Sequence, residues 1–583
     1  MYISARYRFL TLLWLLITNK ALAAPRPWPR TPSSDCRCLP TDPCWPSVRQ
    51  WSALNQTISG RLLRLRPVGA VCHGAEYNEE RCAEAMNNTM STLWRVTQPG
   101  ALMTQNWETL GDNETCFIGS PRELPCYQGR IPNYAVMAES AADVQAAVRF
   151  STRHNLHVVI RNTGHDGTGR SSGPGSIQIN TNRLKSVQFT DEFVPVGGSE
   201  SLGSAVTAGS GNMAIELLRA ARVQGLNLVT GNANTVGALG GFLLGGGCGP
   251  LGPLHGMGAD NALQFKVVTA DGKLVIANDF QNQDLYWALR GGGGGTFGVV
   301  VEATVRTFPE VSAVQFELVA NLTGENANRS IWEITREIAA ILPQLKQADE
   351  TTSAIMIVAM APDAAVLASS ILFPTTADLQ ASENRLTGLM QSLDTLGLPY
   401  SSQFTAYEKV SSYLTLPASL FGNFGRVEGS ALLSQDLFLQ DNGTDHIFET
   451  LANLDYQPGD TLEYLMAFGG KVSANKDHVD SSLSPSWRET GILITFRRIL
   501  PPNSTVKNLN PNPMRRIRSI ERPSLGAYVN VGAPDIPDSK QAFWGGHYDR
   551  LLEIKRKYDP DSLFIVRLGV ESDEWDEEGI CRV

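Results

Sequence analysis

The segment Val159-Ile-Arg-Asn-Thr-Gly-His-Asp-Gly-Thr-Gly-Arg-Ser-Ser-Gly173 most constrains what this chain can fold into. An apolar run over residues 156–160 leads into a turn rich in glycine and hydroxyl groups. Glycine admits backbone conformations closed to other residues, and such a turn presents its N–H groups to an anion lying against the main chain. His165 sits at its centre. Read alone, the segment is equally well a turn whose histidine is merely hydrogen-bonded.

Three further segments change the balance. Thr230-Gly-Asn-Ala-Asn-Thr-Val-Gly-Ala-Leu-Gly-Gly-Phe-Leu-Leu-Gly-Gly-Gly-Cys-Gly249 is a second glycine-rich loop. Asp284-Leu-Tyr-Trp-Ala-Leu-Arg-Gly-Gly-Gly-Gly-Gly-Thr-Phe-Gly298 is a third. Near the C-terminus stand Phe543-Trp-Gly-Gly-His-Tyr548 and Leu551-Leu-Glu-Ile-Lys-Arg-Lys-Tyr-Asp-Pro560. In this order they resemble the vanillyl-alcohol-oxidase-like flavoproteins, specifically the berberine-bridge-enzyme-like oxidases and their secreted fungal members. The resemblance implies an α+β fold. A PCMH-type FAD-binding domain is formed by the N-terminal part and a returning C-terminal segment, with a middle substrate domain of antiparallel sheet backed by helices. It implies FAD bonded covalently to His165 through the flavin 8α-methyl group. Arg161, Asn162, Thr163, Gly164, Asp166, Ser171 and Ser172 would cradle the cofactor from the first loop. Gly231, Thr235, Val236, Gly237 and Gly241 would do so from the second.

The sequence departs from the family pattern at three places. Relatives often add a second flavin bond from cysteine in Gly-x-Cys-x-Thr-Val-Gly; here Gly231-Asn-Ala-Asn-Thr-Val-Gly237 puts Ala233 there, so no cysteinyl bond is expected. The position two after the histidine is often aromatic; here it is Gly167, which predicts a wider pocket. The C-terminal Gly-x-Asn-Tyr has become Gly545-Gly-His-Tyr548. His547 there is either a flavin contact or acid/base, or a plain structural substitution. The resemblance also places Val236 where valine permits dioxygen to reach the flavin. The implied activity is hydride removal from a hydroxylated or nitrogenous small molecule, of the kind met in secondary metabolism, with dioxygen yielding hydrogen peroxide. A dehydrogenase using another acceptor, and a flavin binder without turnover, are the alternatives. Tyr548, His547, Tyr464 and Glu463 are the candidate bases; tyrosine serves only if neighbours lower its pKa.

A nicotinamide reading fails on context. Gly209, Gly211 and Ala214 follow a predicted strand and open a predicted helix, as a dinucleotide fold requires. The next strand, however, ends in Thr230-Gly-Asn-Ala-Asn234, with no carboxylate for a ribose hydroxyl.

A chain of 583 residues exceeds one ordinary core. Its net charge is −9 and no Lys/Arg-rich run appears, which argues against a nucleic-acid partner. Arg6 and Arg8 precede an apolar run over 9–17, and Ala21-Leu-Ala23 supplies small residues for cleavage, the pattern of a secretory signal peptide. That run is too short for a membrane span, which needs ~20 apolar residues. Seven of nine cysteines crowd residues 36–126, which fits disulfides in an oxidising compartment. Cys248 is expected to stay a free thiol, and Cys581 to tie the C-terminal tail to the N-terminal segment. Sequons at Asn55, Asn87, Asn113, Asn321, Asn328, Asn442 and Asn503 are potential glycan sites.

The expected organisation is a signal peptide over 1–23, a Cys-rich cap over 24–126, and the FAD domain over 127–310. The substrate domain follows over 311–522, and the returning segment over 523–583. Periodicity predicts helices over 141–152, 213–222, 331–345, 376–396 and 547–557. It predicts strands over 156–160, 176–179, 204–208, 226–229, 264–269, 299–308, 353–359, 464–468 and 491–496.

Overall fold

The computed structural model describes residues 35–111, 114–415, 425–500 and 512–583. The expected signal peptide, the sequons Asn113 and Asn503, and residues 501–511 of the expected connector lie outside them. The chain divides into residues 1–36 and a second unit, Arg37–Val583, which holds all the elements described below.

Two sheets build its N-terminal half. In the first, the strands run in the order Leu62–Arg64, Tyr134–Met137, Ile177–Asn180, Val158–Arg161. The last three are mutually parallel, and Ile177–Asn180 between them is buried along its whole length. Parallel strands covered on both faces read as short apolar runs. The helix Ala141–Arg153 starts where Ser140 and Asp143 form a reciprocal capping box, and it buries Val144, Ala147 and Val148 at helical spacing. The second sheet is antiparallel, in the order Val187–Thr190, Ala205–Gly209, Val299–Arg306, Ala262–Val268, Leu274–Ala277.

The middle of the chain forms a seven-stranded antiparallel sheet. Its order is Ser401–Tyr407, Ala313–Thr323, Ala364–Pro374, Ser353–Ala361, Thr461–Met466, Thr490–Ile499, Arg426–Ser434. Successive side chains of a strand point to opposite faces. Met356, Val358, Leu462, Tyr464, Ile494 and Phe496 therefore share one face and pack in a single core with Ile331, Ile338 and Leu342 of the helix Ala327–Ala348. Ile355, Glu463, Leu465, Leu493, Thr495 and Arg497 lie on the other face, toward the N-terminal half.

The structure departs from the expected elements in identifiable ways. The helix over 376–396 is two helices, Leu379–Arg385 and Thr387–Leu396, broken at Leu386. The strand over 226–229 shrinks to Leu226–Asn227. In the seven-stranded sheet several strands went unpredicted, among them Arg426–Ser434, whose Arg426, Glu428, Gly429 and Ser430 carry little intrinsic strand preference. Tertiary pairing and burial set that strand. The cap is also more helical than its irregular sequence suggests, with Val48–Thr57 and Glu79–Asn88.

Disulfides Cys38–Cys44, Cys72–Cys82 and Cys116–Cys126 each close a short loop of the cap. Cys581 is disulfide-bonded as well, and Cys248 is a free thiol. The C-terminal helix Tyr548–Tyr558 is locked by a fully buried ion pair, Lys555 with Asp559. Lys555 Nζ also donates to the carbonyls of Thr296 at 3.1 Å and Phe564 at 2.8 Å. Asp559 accepts from the backbone N–H of Leu563 and Phe564. Buried charges persist when every partner is supplied in this way. Among the described residues no helix is long and apolar enough to cross a membrane.

Candidate active site

The loop after Val158–Arg161 is held from within and from behind. Asp166 accepts from Thr168 N at 3.1 Å, Thr168 Oγ1 at 3.0 Å and the backbone N–H of Ser171. Trp107 of the cap donates its indole N–H to the Gly167 carbonyl at 2.9 Å. Arg130 donates to the carbonyls of Gly169 and Ser172, each at 2.9 Å. Arg170 donates to those of Val529 at 2.8 Å and Arg567 at 3.0 Å, so the returning C-terminal segment also braces the loop.

His165 joins this loop to the second. Its Nε2 lies 2.7 Å from Thr235 Oγ1. Burial, reinforced by the nearby Arg426 guanidinium, lowers its pKa to about 4. The ring is therefore neutral at ordinary pH. When Nε2 donates to Thr235, the other ring nitrogen carries the lone pair.

A cavity of about 750 Å³ runs between these loops and the free face of the seven-stranded sheet. Of the predicted cofactor residues, Asn162, Thr163, Gly164, His165, Asp166, Ser171, Gly231, Thr235, Val236, Gly237 and Gly241 line it. Arg161 and Ser172 do not. The buried Arg161 guanidinium donates to the carbonyls of Gln98 at 2.5 Å and Arg95 at 2.9 Å, and the Ser172 hydroxyl to Trp107 O at 2.9 Å. Both side chains tie the cap to the loop.

Three predicted catalytic residues also fall outside the cavity. Tyr464 points to the helix-covered face of its sheet, against Phe448, and burial pushes its phenol pKa up. Tyr548 donates to Asp573 at 3.1 Å and accepts from Glu571 N at 3.2 Å. Its pKa is likewise raised by burial, the wrong direction for a base. His547 stands edge-on to Trp287, with ring centroids 5.3 Å apart. Glu463, of the four candidates, lines the cavity.

Around Glu463 lies a cluster that sequence reasoning missed. Arg497 donates to Glu428 Oε2 at 3.0 Å and pairs with Glu463 at 2.9 Å, while Arg426 approaches Glu428 at 3.4 Å. All four side chains line the cavity, and Glu428 is only 6% exposed. Burial alone would raise the Glu428 pKa, but Arg426 and Arg497 together outweigh it and hold the carboxyl below its ordinary value. The signal available in sequence was a pair of charges, Arg426 and Glu428, at alternate positions. The side chain of Glu428 fills the space beside Gly167, so the wider pocket expected there is not formed. Cys248 also lines the cavity, but burial and Glu463 push its thiol up to about 12, so it is not a thiolate.

The cavity suits a dinucleotide such as FAD. Asn162 Oδ1, Ser210 Oγ and Arg170 Nη2 are buried at its wall without a hydrogen-bond partner among the described protein groups. Buried polar groups left unpaired by protein call for a polar ligand or water. A Cβ on Gly241 would meet no protein atom within 4 Å, so the main chain there is open to a ligand's close approach.

Residues 132–278 match the FAD binding domain family, and residues 527–571 the berberine and berberine-like family. The chain is 48% identical to the flavin-dependent oxygenase ucdF of Aspergillus ustus over 541 residues, 92% of this chain and 99% of that protein. It is 38% identical to the FAD-linked oxidoreductase malF of Malbranchea aurantiaca, over 94% of each. The crystal structure of the VAO-type flavoprotein MtVAO615 from Myceliophthora thermophila C1 superposes with a TM-score of 0.80 at 29% identity, over 94% of this chain and 100% of that one. Berberine bridge enzyme from Eschscholzia californica shares the fold, with a TM-score of 0.64 at 16% identity over 89% of this chain and 98% of that one.

Proposed function

The chain belongs to the berberine-bridge-enzyme-like FAD-linked oxidoreductases, and from that premise we propose that it is an exported oxidase of a hydroxylated or nitrogenous small molecule. The observation that carries this reading is the Arg426–Glu428–Arg497–Glu463 cluster, with Glu428 buried at its centre, facing the flavin loops across one cavity. FAD, when bound, would supply the hydride acceptor, and its reoxidation by dioxygen would give hydrogen peroxide. The glycine loops would hold it, and His165 would carry it covalently. Glu428, kept ionised by two guanidiniums, takes the proton from the substrate hydroxyl or amine as the C–H bond breaks. Arg426 and Arg497 fix that carboxylate, and Ile355, Leu465 and Leu493 offer an apolar wall to the substrate body. Val236, at the cavity wall, leaves the oxygen path open.

A second reading is favoured by the oxygenase ucdF, at 48% identity. Labelled dioxygen separates the two. After anaerobic bleaching by a substrate from a panel of alcohols, sugars and amines, admission of ¹⁸O₂ is expected to place the label in hydrogen peroxide. Label in the organic product would assign an oxygenase instead.

Export is supported by the N-terminal charge and apolar pattern and by the disulfides of the cap. Mass spectrometry of protein recovered from culture medium is expected to find the mature N-terminus near Ala24. Protein confined to cells with Met1 retained would remove this part of the proposal.

A further inference from the structure

Gly167 and Glu428 come from opposite halves of the molecule and occupy the same space. A Cβ on Gly167 would lie 1.8 Å from Glu428 Oε1, 2.7 Å from its Cδ and 2.9 Å from its Cγ. No side chain at 167 can coexist with Glu428 as placed. Both partners are held where they stand. Glu428 is buried and paired with Arg497 and Arg426. The loop at Gly167 is held through its carbonyl by Trp107. That indole is 3% exposed and lies against the guanidiniums of Arg567 and Arg130, 4.8 and 5.6 Å from its ring.

We propose that Gly167 is a positioning residue: its missing side chain admits the Glu428 carboxylate to the flavin loop beside His165. The proton acceptor is thereby supplied by the seven-stranded sheet and not by the loop. A methyl group at 167 displaces Glu428 from its arginines. The fold is kept, because the displaced atoms are the far end of a flexible side chain. This inference rests on the reading of Glu428 as the group beside the flavin.

The test uses the FAD-loaded full chain and needs no substrate. Two quantities are measured: the flavin reduction potential, by equilibration with a reference dye, and the apparent pKa at which flavin absorbance titrates with pH. Glu428→Gln removes a negative charge and is expected to raise the potential and abolish the acid-side titration. Gly167→Ala is expected to move the potential in the same direction and to shift the titration upward. Aspartate is shorter by one methylene, so Gly167→Ala/Glu428→Asp is expected to return both values toward wild type. Unchanged values in Gly167→Ala, or no return in the double variant, would overturn the positioning role. An unchanged potential and titration in Glu428→Gln would instead overturn the placement of Glu428 beside the flavin. Should Gly167→Ala not yield holoenzyme, Gly167→Ala/Glu428→Ala is expected to restore it. Failure of that variant too would show that the clash is not with Glu428.

Discussion

His165→Ala is expected to lose all acid-stable flavin. Wild-type protein precipitated in acid and washed is expected to keep its yellow colour in the pellet; the variant is expected to release it entirely to the supernatant. The cause is the electronic state of the ring. Burial and Arg426 keep His165 neutral, so a ring nitrogen lone pair is available to form a bond. Thr235 fixes the ring from the second loop at 2.7 Å, which orients it within the cavity. Ala233 stands where the family pattern would put a second, cysteinyl attachment, so no covalent flavin is expected to survive the loss of His165. The variant still has its glycine loops and polar wall, and so is expected to bind FAD reversibly and lose it on dilution. A colourless wild-type pellet would sink the covalent assignment while leaving the cavity's fit to FAD intact.

Glu428→Gln is expected to slow flavin reduction by about 10²–10⁴-fold, the usual contribution of a positioned acid or base. The amide keeps the size of the side chain and removes its ability to take a proton. The pH dependence has a definite sign. In the proposed role only ionised Glu428 takes the proton, and its pKa is held below the ordinary carboxylate value. Wild-type reduction is therefore expected to persist at pH values where a free carboxylate would already be protonated, and to fall only below them. Removing one guanidinium, as in Arg426→Met, takes away one of the two charges that offset burial and is expected to move that acid limb upward. A carboxylate held so low is a weak base, suited to a proton made acidic by departing hydride. Tyr548→Phe and His547→Ala are expected to leave the rate near wild type, since neither side chain lines the cavity. Stopped-flow bleaching without oxygen measures each of these variants. A fast Glu428→Gln beside a slow Glu463→Gln would move the proton acceptor across Arg497 to Glu463.

Much of the fold was legible because its signals are local. Glycine loops sit at strand ends, and runs such as 141–152 carry helical periodicity, so helices there need no tertiary information. The middle sheet was less legible. Arg426–Ser434 has polar residues at alternate positions and so gives no apolar strand signal, yet Arg426 and Glu428 face the cavity and Ser430 bonds the returning segment at Val531. Strand parity explains why Tyr464 lies away from the cavity while Glu463 lines it. Glu463 and Tyr464 are neighbours, and a shift of one residue exchanges the two faces of a strand. Sequence locates the strand but not which face meets the cavity. The expectation at Gly167 failed for a related reason: an absent side chain looks like empty space until the residue that fills it is seen on another strand.

The brace at Arg170 spans 359 residues to Val529 and 397 to Arg567. During synthesis the histidine loop emerges early, and the carbonyls that steady it emerge near the end. Contacts so distant along the chain close late. A ribosome-bound fragment ending before residue 529 thus carries every glycine motif of the first two loops without the clamp that shapes them. The returning segment that carries those carbonyls is itself pinned by the buried Lys555–Asp559 pair, so the shape of the histidine loop depends on the last tenth of the chain.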